Sequence, residues 1–338
     1  RRVAGVWTPT QKFTGSSTAS GDFFGMTADL DGNQLVVGAQ QDDDLGSNSG
    51  SVFMFEFDGT NWVEVANLFA PDGDSSDRFG SSVALSGDLL VVGASADELG
   101  SNNSVGSIYV YRKVAGVWGF EQKVMALAPV AGAKFGWDVA TDGQTILSSA
   151  LDEHNGVAMP GGVYALSFDG LNWNQDQVFF PSDGVDGDSF GWDMDLEGER
   201  LAIGAPDHNS DAGAVYLFER QGGTWTEVDK LVSASTGATD SLGWSVDLQW
   251  PVLVAGAPGA AGLPVSPAGQ GDGAVFKFNF TGTQWVDVQH WVSEDTDVTG
   301  FPLPQLGLSV ALDGKTVISG APFANTPVSG AAGIVYRF

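Results

Sequence analysis

The chain has no cysteine. That excludes a disulfide framework and any thiolate-ligated metal, and it fits a protein exported from a bacterium. Basic residues are scarce. Fourteen Lys and Arg stand against 42 Asp and Glu, a net charge of −28 over 338 residues. A surface of that sign repels phosphate backbones and anionic membrane surfaces, so nucleic acid is a poor partner. Cations, neutral glycans and basic proteins remain. No apolar run reaches the roughly 18 residues of a spanning helix, so no membrane insertion is expected. The chain opens at Arg1 with neither Met nor an apolar leader, and reads as a mature or excised segment. Nucleophile elbow, phosphate loop, zinc-helix motif and dinucleotide fingerprint are all missing, so no enzymatic activity is expected.

What is present is a repeat. An aromatic or aliphatic residue precedes Gly at Phe24-Gly25, Phe79-Gly80, Phe135-Gly136, Phe190-Gly191, Leu242-Gly243 and Leu306-Gly307. About a dozen residues later comes a small pair: Gly38-Ala39, Gly93-Ala94, Ser149-Ala150, Gly204-Ala205, Gly256-Ala257 and Gly320-Ala321. A Trp follows a turn at Trp7, Trp62, Trp118, Trp173, Trp225 and Trp285, spaced 55, 56, 55, 52 and 60 apart. Continuing from Trp285 through Phe338 and on from Arg1 to Trp7 adds another 60, so six periods fill a circle. The two ends, Ile334-Val-Tyr-Arg-Phe338 and Arg1-Arg-Val-Ala-Gly-Val-Trp7, when joined, recreate the unit running from Ile108 to Trp118.

Each period carries four short runs rich in Val, Leu and aromatics, bounded by turn residues. In the second period these are residues 82–85, 89–93, 107–111 and 118–125. Ser86-Gly87-Asp88 and Asp58-Gly59-Thr60-Asn61 have hairpin chemistry. Four-stranded units repeated radially make a propeller with only short edges. The expectation is an all-β, six-bladed β-propeller forming one domain over residues 1–338. Its blades cover about 21–76, 77–132, 133–187, 188–239, 240–299, and 300–338 completed by 1–13. The N-terminal segment supplies the outer strand of the last blade.

Together with Gly204-Ala205-Pro206, Gly256-Ala257-Pro258 and Gly320-Ala321-Pro322, these markers resemble FG-GAP repeats. Such repeats build the propeller of integrin α-subunits and of many bacterial surface proteins. The stretch from Asp77 to Ala94 is most similar to the bacterial type. The resemblance implies an adhesion or binding platform. It departs from the integrin pattern in having six blades where integrins have seven. Asp29-Leu-Asp-Gly-Asn33 and Ser86-Gly-Asp88 are also too short for that family's calcium loop.

The tight turns fall on one side of each blade. The connections between second and third strands, and those between blades, fall on the other and are long and variable. Variable loops on a rigid scaffold commonly carry function, so a monomeric extracellular module binding a glycan or protein surface through that face is expected. Trp137, Trp192 and Trp244 follow the first marker in blades three to five, where Met26, Ser81 and Leu308 stand elsewhere. Flat rings there suit a sugar or a cation, or else fill gaps between blades. His154 and His208, with Asp152 and Asp207, lie in loops on the same face. They form the rim of a ligand site, the acid/base pair of a polysaccharide hydrolase or lyase, or ordinary exposed polar residues. The loops holding Asp72, Asp74 and Asp77, and Asp183, Asp186 and Asp188, offer carboxylates to calcium or simply solvate the surface. A structural spacer within a larger surface protein is the remaining reading.

Overall fold

The computed structural model describes residues 2–3, 6–7, 10–154, 156, 158–260, 272–292, 305–324 and 333–338. The fold is all-β, a six-bladed β-propeller of antiparallel sheets, as expected. Five sheets have four strands each. The second consists of Phe79–Ser86, Leu89–Ala94, Ser107–Val114 and Val117–Val124, hydrogen-bonded in that order. The first three strands contain the expected runs and extend them by up to three residues, and the fourth, Val117–Val124, is shifted by one from the expected 118–125. The sixth sheet has three described strands, Ser309–Asp313, Thr316–Ala321 and Ile334–Arg337. Arg2–Val3 and Val6–Trp7 pair with each other as a separate hairpin. The seam expected to join this segment to the last blade lies outside the described pairings. So do parts of the long connections expected in the last two blades, residues 261–271, 293–304 and 325–332.

The chain divides into two compact units, residues 1–148 with 166–175, and residues 149–165 with 176–338. In the first unit, Val36, Val52 and Met54 of blade one pack with Leu90, Val92, Tyr109 and Tyr111 of blade two. In the second, Val215 and Leu217 of blade four pack with Leu253, Ala255 and Phe276 of blade five. The second strand of blade two is covered on both faces. That is why Leu89–Ala94 reads as an unbroken apolar run, with every residue buried.

The two glycine markers form one device. Within a blade, the N–H of the Gly after Phe or Leu donates to the carbonyl of the second-marker Gly, as in Gly25 to Gly38 and Gly243 to Gly256, both at 3.0 Å. Between blades, the second-marker Gly touches the first-marker Gly of the next blade. A Cβ on Gly93 would lie 2.2 Å from the Gly136 carbonyl oxygen, and one on Gly204 1.9 Å from that of Gly243. Backbone meets backbone at these points, and no side chain fits. Phe79, Phe135, Phe190, Leu242 and Leu306 are fully buried beside them.

The fourth strands carry a second repeated device. Each of four described blades has a one-residue bulge three positions after its Trp, at Val65, Glu121, Val228 and Val288. The turn tryptophans expected to be structural are packed in: Trp118, Trp173 and Trp225 are buried, and Trp62 and Trp285 are half-buried.

Candidate binding face

Directly before each first marker stands a residue with left-handed backbone: Phe23, Arg78, Lys134, Ser189, Ser241 and Gln305, with φ between 53° and 60°. None is Gly, and the geometry has a local cause. Two consecutive N–H groups must reach two consecutive carbonyls of the preceding second-to-third-strand loop. Arg78 and Phe79 donate to Asn48 and Ser49, and Lys134 and Phe135 donate to Ser104 and Val105. An extended strand points successive N–H groups to opposite sides, so the first residue turns left-handed. Its carbonyl then accepts the N–H three residues on, as Lys134 does from Trp137. Ser241 and Leu242 donate to Asp211 and Ala212 in the same way, and at Arg78 and Lys134 the side chain is left on the long-loop side.

In the first unit that side holds a cavity of about 420 Å³, lined by Arg78, Lys134, Trp137 and Glu98 together with serines and asparagines of the surrounding loops. Arg78 is exposed. The Lys134 ammonium lies 5.7 Å from the centre of the Trp137 ring. Asn48, Ser76, Arg78, Ser104 and Lys134, all lining residues, have left-handed φ, so the wall is built from turns that leave little backbone freedom.

Beneath the loops of blades two and four lie matching polar networks. In blade two, Asp97 accepts from Ser107 at 2.5 Å and pairs with Lys123 at 2.8 Å. Asp72 accepts from Tyr109 at 2.8 Å and pairs with Lys123 at 2.9 Å. Burial works against the Asp72 carboxylate, but Lys123 and Tyr109 outweigh it and hold its pKa below the ordinary value. In blade four, Asp183 takes the place of Asp72, with Tyr216 at 2.8 Å and Lys230 at 2.7 Å. His208 takes the place of Asp97. Its Nε2 lies 2.7 Å from the Lys230 ammonium, which can only donate, so Nδ1 carries the hydrogen and donates to Asp188 at 2.9 Å.

The family model of the FG-GAP repeat matches residues 7–55, 62–111 and 173–218. The chain carries FG-GAP repeats. Each match begins at a turn Trp and ends in the third strand of the following blade, so the matched unit is offset from the blade by one strand. No match was found among curated proteins.

Within this FG-GAP propeller the residues singled out from sequence fall into separate places. Trp192 and Trp244 meet, their ring centres 4.5 Å apart at 51°. Trp137 belongs to the other unit and lines the cavity there. His208 is buried, not exposed as expected. It stands four residues after Gly204, as Asp97 stands four after Gly93 and Glu153 four after Ser149. His154 is therefore not its equivalent; it is one residue further on and exposed. Asp207 accepts from Ser189 at 2.5 Å, burial pushing its pKa up, and Asp152 is half-buried.

The acidic-loop carboxylates are engaged internally. Asp77 accepts the N–H of Asp74 at 2.6 Å, Asp186 that of Met159 at 2.7 Å, and Asp188 that of Val185 at 2.9 Å. Among the described residues no cluster of three or more acidic or imidazole groups has the geometry to hold a metal ion.

The carboxylates of the first strands have a shared task. Asp29 accepts from the N–H of Leu85 at 2.7 Å, Asp193 from Val246, and Asp195 from Leu248, both at 2.6 Å. Each serves an edge N–H of the next blade that no fifth strand can serve. Burial, with neighbouring carboxylates, pushes Asp193 and Asp195 well above the ordinary range. The six left-handed residues and the basic cavity were not singled out from sequence. The signal was present: the residue before each first marker varies from Phe to Arg to Gln while everything around it repeats.

Proposed function

We propose that this FG-GAP propeller is an extracellular, non-enzymatic binding module that recognises a glycan or protein surface through its long-loop face. One observation carries the reading. At Arg78, Lys134 and Ser241, three equivalent positions, the fold's demand is met by backbone hydrogen bonds alone. The side chains there nonetheless differ sharply, and in the first unit two of them line a cavity beside an aromatic ring. Structural need asks for one residue type; recognition asks for different ones. Secretion fits the cysteine-free, strongly acidic composition. A module displayed on rigid blades loses little entropy on binding, which favours selective recognition by side chains. The test is a glycan array probed with the whole chain, in calcium and in chelator. Retention of a defined glycan class supports the reading, and calcium dependence would assign a role to the acidic loops. Failure to retain any glycan, with no protein captured from a matching surface extract, would overturn it.

A further inference from the structure

At three blade junctions a Gln four residues past one turn Trp brackets the backbone of the next turn Trp. Gln11 serves Trp62, Gln122 serves Trp173 and Gln177 serves Trp225, each donating to the carbonyl and accepting from the N–H. Between blades four and five the same place holds Asp229. A carboxylate has no hydrogen for the Trp285 carbonyl, and one Asp229 oxygen accepts the Lys230 N–H at 2.9 Å. Trp285 pairs with Phe280 in the register of Trp62 with Phe57. Its N–H and carbonyl therefore face away from the third strand, as those of Trp62 do. A cavity of about 270 Å³ opens there, lined by Asp229 and Trp285. Ala66 also stands in for Gln, ahead of Trp118, but there Ala66 packs on the core and Trp118 is buried. We infer that the cleft between blades four and five takes the side-chain carboxamide of a glutamine from a partner protein, in place of the amide that the repeat leaves out.

The groups in the cleft match that ligand one to one. A carboxamide has two N–H donors and one acceptor oxygen. The donors suit the Trp285 carbonyl and the second Asp229 oxygen, and the oxygen suits the Trp285 N–H. A carboxylate would stand against Asp229 and leave the carbonyl without a donor. An ammonium would leave the N–H without an acceptor. The other charges in the wall balance within the protein: Arg200 lies 3.3 Å from Glu219, with its guanidinium 3.9 Å from the centre of the Trp250 ring. Trp250 packs on Phe280 and Trp285, ring centres 4.8 and 5.6 Å apart, and with Val228 these rings form an apolar wall for a methylene stem. The turn that carries Gly32, Gly87, Gly143, Gly198 and Gly314 in the other blades is Trp250-Pro251 here. Two departures from the repeat, Asp229 and Trp250, thus converge on one junction. The volume is just under the range of small-ligand sites, about 300–1,000 Å³, and suits one side chain better than an oligosaccharide. Trp250 and Thr283 place the cleft beside the tight turns, so this site is separate from the long-loop face and stands independently of the reading above.

The experiment is titration of the whole chain with three capped peptides, acetyl-Gly-Gly-X-Gly-Gly-methylamide with Gln, Glu or Lys at X, followed by two-dimensional NMR. Salt at about 0.3 M screens the net charge of the chain. The Gln peptide should bind at least about tenfold more tightly than either of the others, as two added hydrogen bonds give. Asp229→Gln puts the amide back into the chain. It should raise the melting temperature and lower affinity for the Gln peptide at least about tenfold. Equal or tighter binding of the Glu or Lys peptide, no binding of the Gln peptide at millimolar concentration, or parental affinity or melting temperature in Asp229→Gln would each overturn the site. The glycan array on the unaltered chain reads the long-loop face separately, so either result can fail without the other.

Discussion

Gln122 brackets the backbone of Trp173: its Nε2 donates to the Trp173 carbonyl at 3.0 Å, and its Oε1 accepts the Trp173 N–H at 2.7 Å. Gln177 does the same to Trp225, both bonds at 2.8 Å. Each Gln stands four residues after its own Trp, just past the bulge, and reaches the fourth strand of the next blade. One amide satisfies a donor and an acceptor that an isolated sheet would leave unpaired. Gln122→Ala should cost about 1–3 kcal/mol, the cost of stranding such groups. Gln122→Glu keeps the acceptor alone and should recover only part of the loss. Denaturant titration of both variants checks this, and a wild-type midpoint for Gln122→Ala would refute it.

The same bracket bears on closure of the last blade. Gln11 stands four residues after Trp7 and brackets Trp62, with both bonds at 2.8 Å. Phe13 packs on Phe55 at 4.7 Å. The segment from Trp7 onward therefore bears the relation to blade one that Gln122 and its strand bear to the following blade. The first family match, beginning at Trp7, shows the same offset. The sequence carries the expectation that residues 1–13 complete the last blade. Deleting residues 1–13 should lower stability by several kcal/mol, since apolar surface and a sheet edge are exposed together. Gln11→Ala alone should cost what Gln122→Ala costs. An unchanged melting temperature after the deletion would rule the arrangement out.

The blades were legible in the sequence because the residues that mark them are the ones backbone contact demands. Gly93 and Gly136 recur because no Cβ fits between them, and a repeated steric demand leaves a repeated letter. His208 was misread for the opposite reason. Its loop is polar, which suggested exposure, and only alignment on Gly204 shows that it replaces the buried carboxylate Asp97. Arg78 and Lys134 left no pattern, because the backbone at that position fixes conformation without restricting the side chain. A site built on variation within a repeat is hidden from a search for what repeats.

Acid should stabilise this protein before it unfolds it. Burial pushes the Asp77 carboxyl up to about 6 from 3.8. Asp193, Asp195 and Asp247 are raised as well, by burial first. A carboxyl with a folded pKa above its unfolded value holds its proton more tightly in the folded state, so lowering the pH from about 7 towards 4 favours folding. Relief of self-repulsion at charge −28 acts in the same direction. Glu121 works the other way: the Arg112 guanidinium holds its pKa low, and that contribution is lost only as the pH falls through the depressed value. The melting temperature should rise from about pH 7.5 to about pH 5 and fall at more acidic values. Asp77→Asn, which keeps the acceptor for Asp74, should reduce the rise. A melting temperature that falls steadily from pH 7.5 downward would contradict this.

If His208 is the blade-four counterpart of Asp97, a carboxylate should replace it. His208→Asp restores a partner for Lys230 of the kind that Lys123 has in blade two, and should stay within about 1 kcal/mol of the parent. His208→Leu leaves Lys230 and buried Asp188 short of a partner and should cost about 3 kcal/mol or more. A catalytic role for the imidazole would show the reverse pattern: unchanged stability in both variants, with loss of an activity in both. Thermal melts of the two variants, side by side with the parent, decide between these outcomes.

The tryptophans make the last comparison. Trp192 and Trp244 pack on each other, whereas Trp137 lines the basic cavity. All three are half-buried, so burial alone does not separate ligand contact from packing. Trp192→Ala should cost about 2 kcal/mol of stability, below the figure for a fully buried Trp because the ring is partly exposed. Affinity for a glycan retained on the array should stay as it was. Trp137→Ala should lower that affinity by about 1–3 kcal/mol, as loss of an aromatic anchor does, and must be titrated well below its own melting temperature. Should Trp192→Ala lose the ligand while Trp137→Ala retains it, the site belongs to the Trp192–Trp244 pair. The basic cavity would then be a feature of the loops alone.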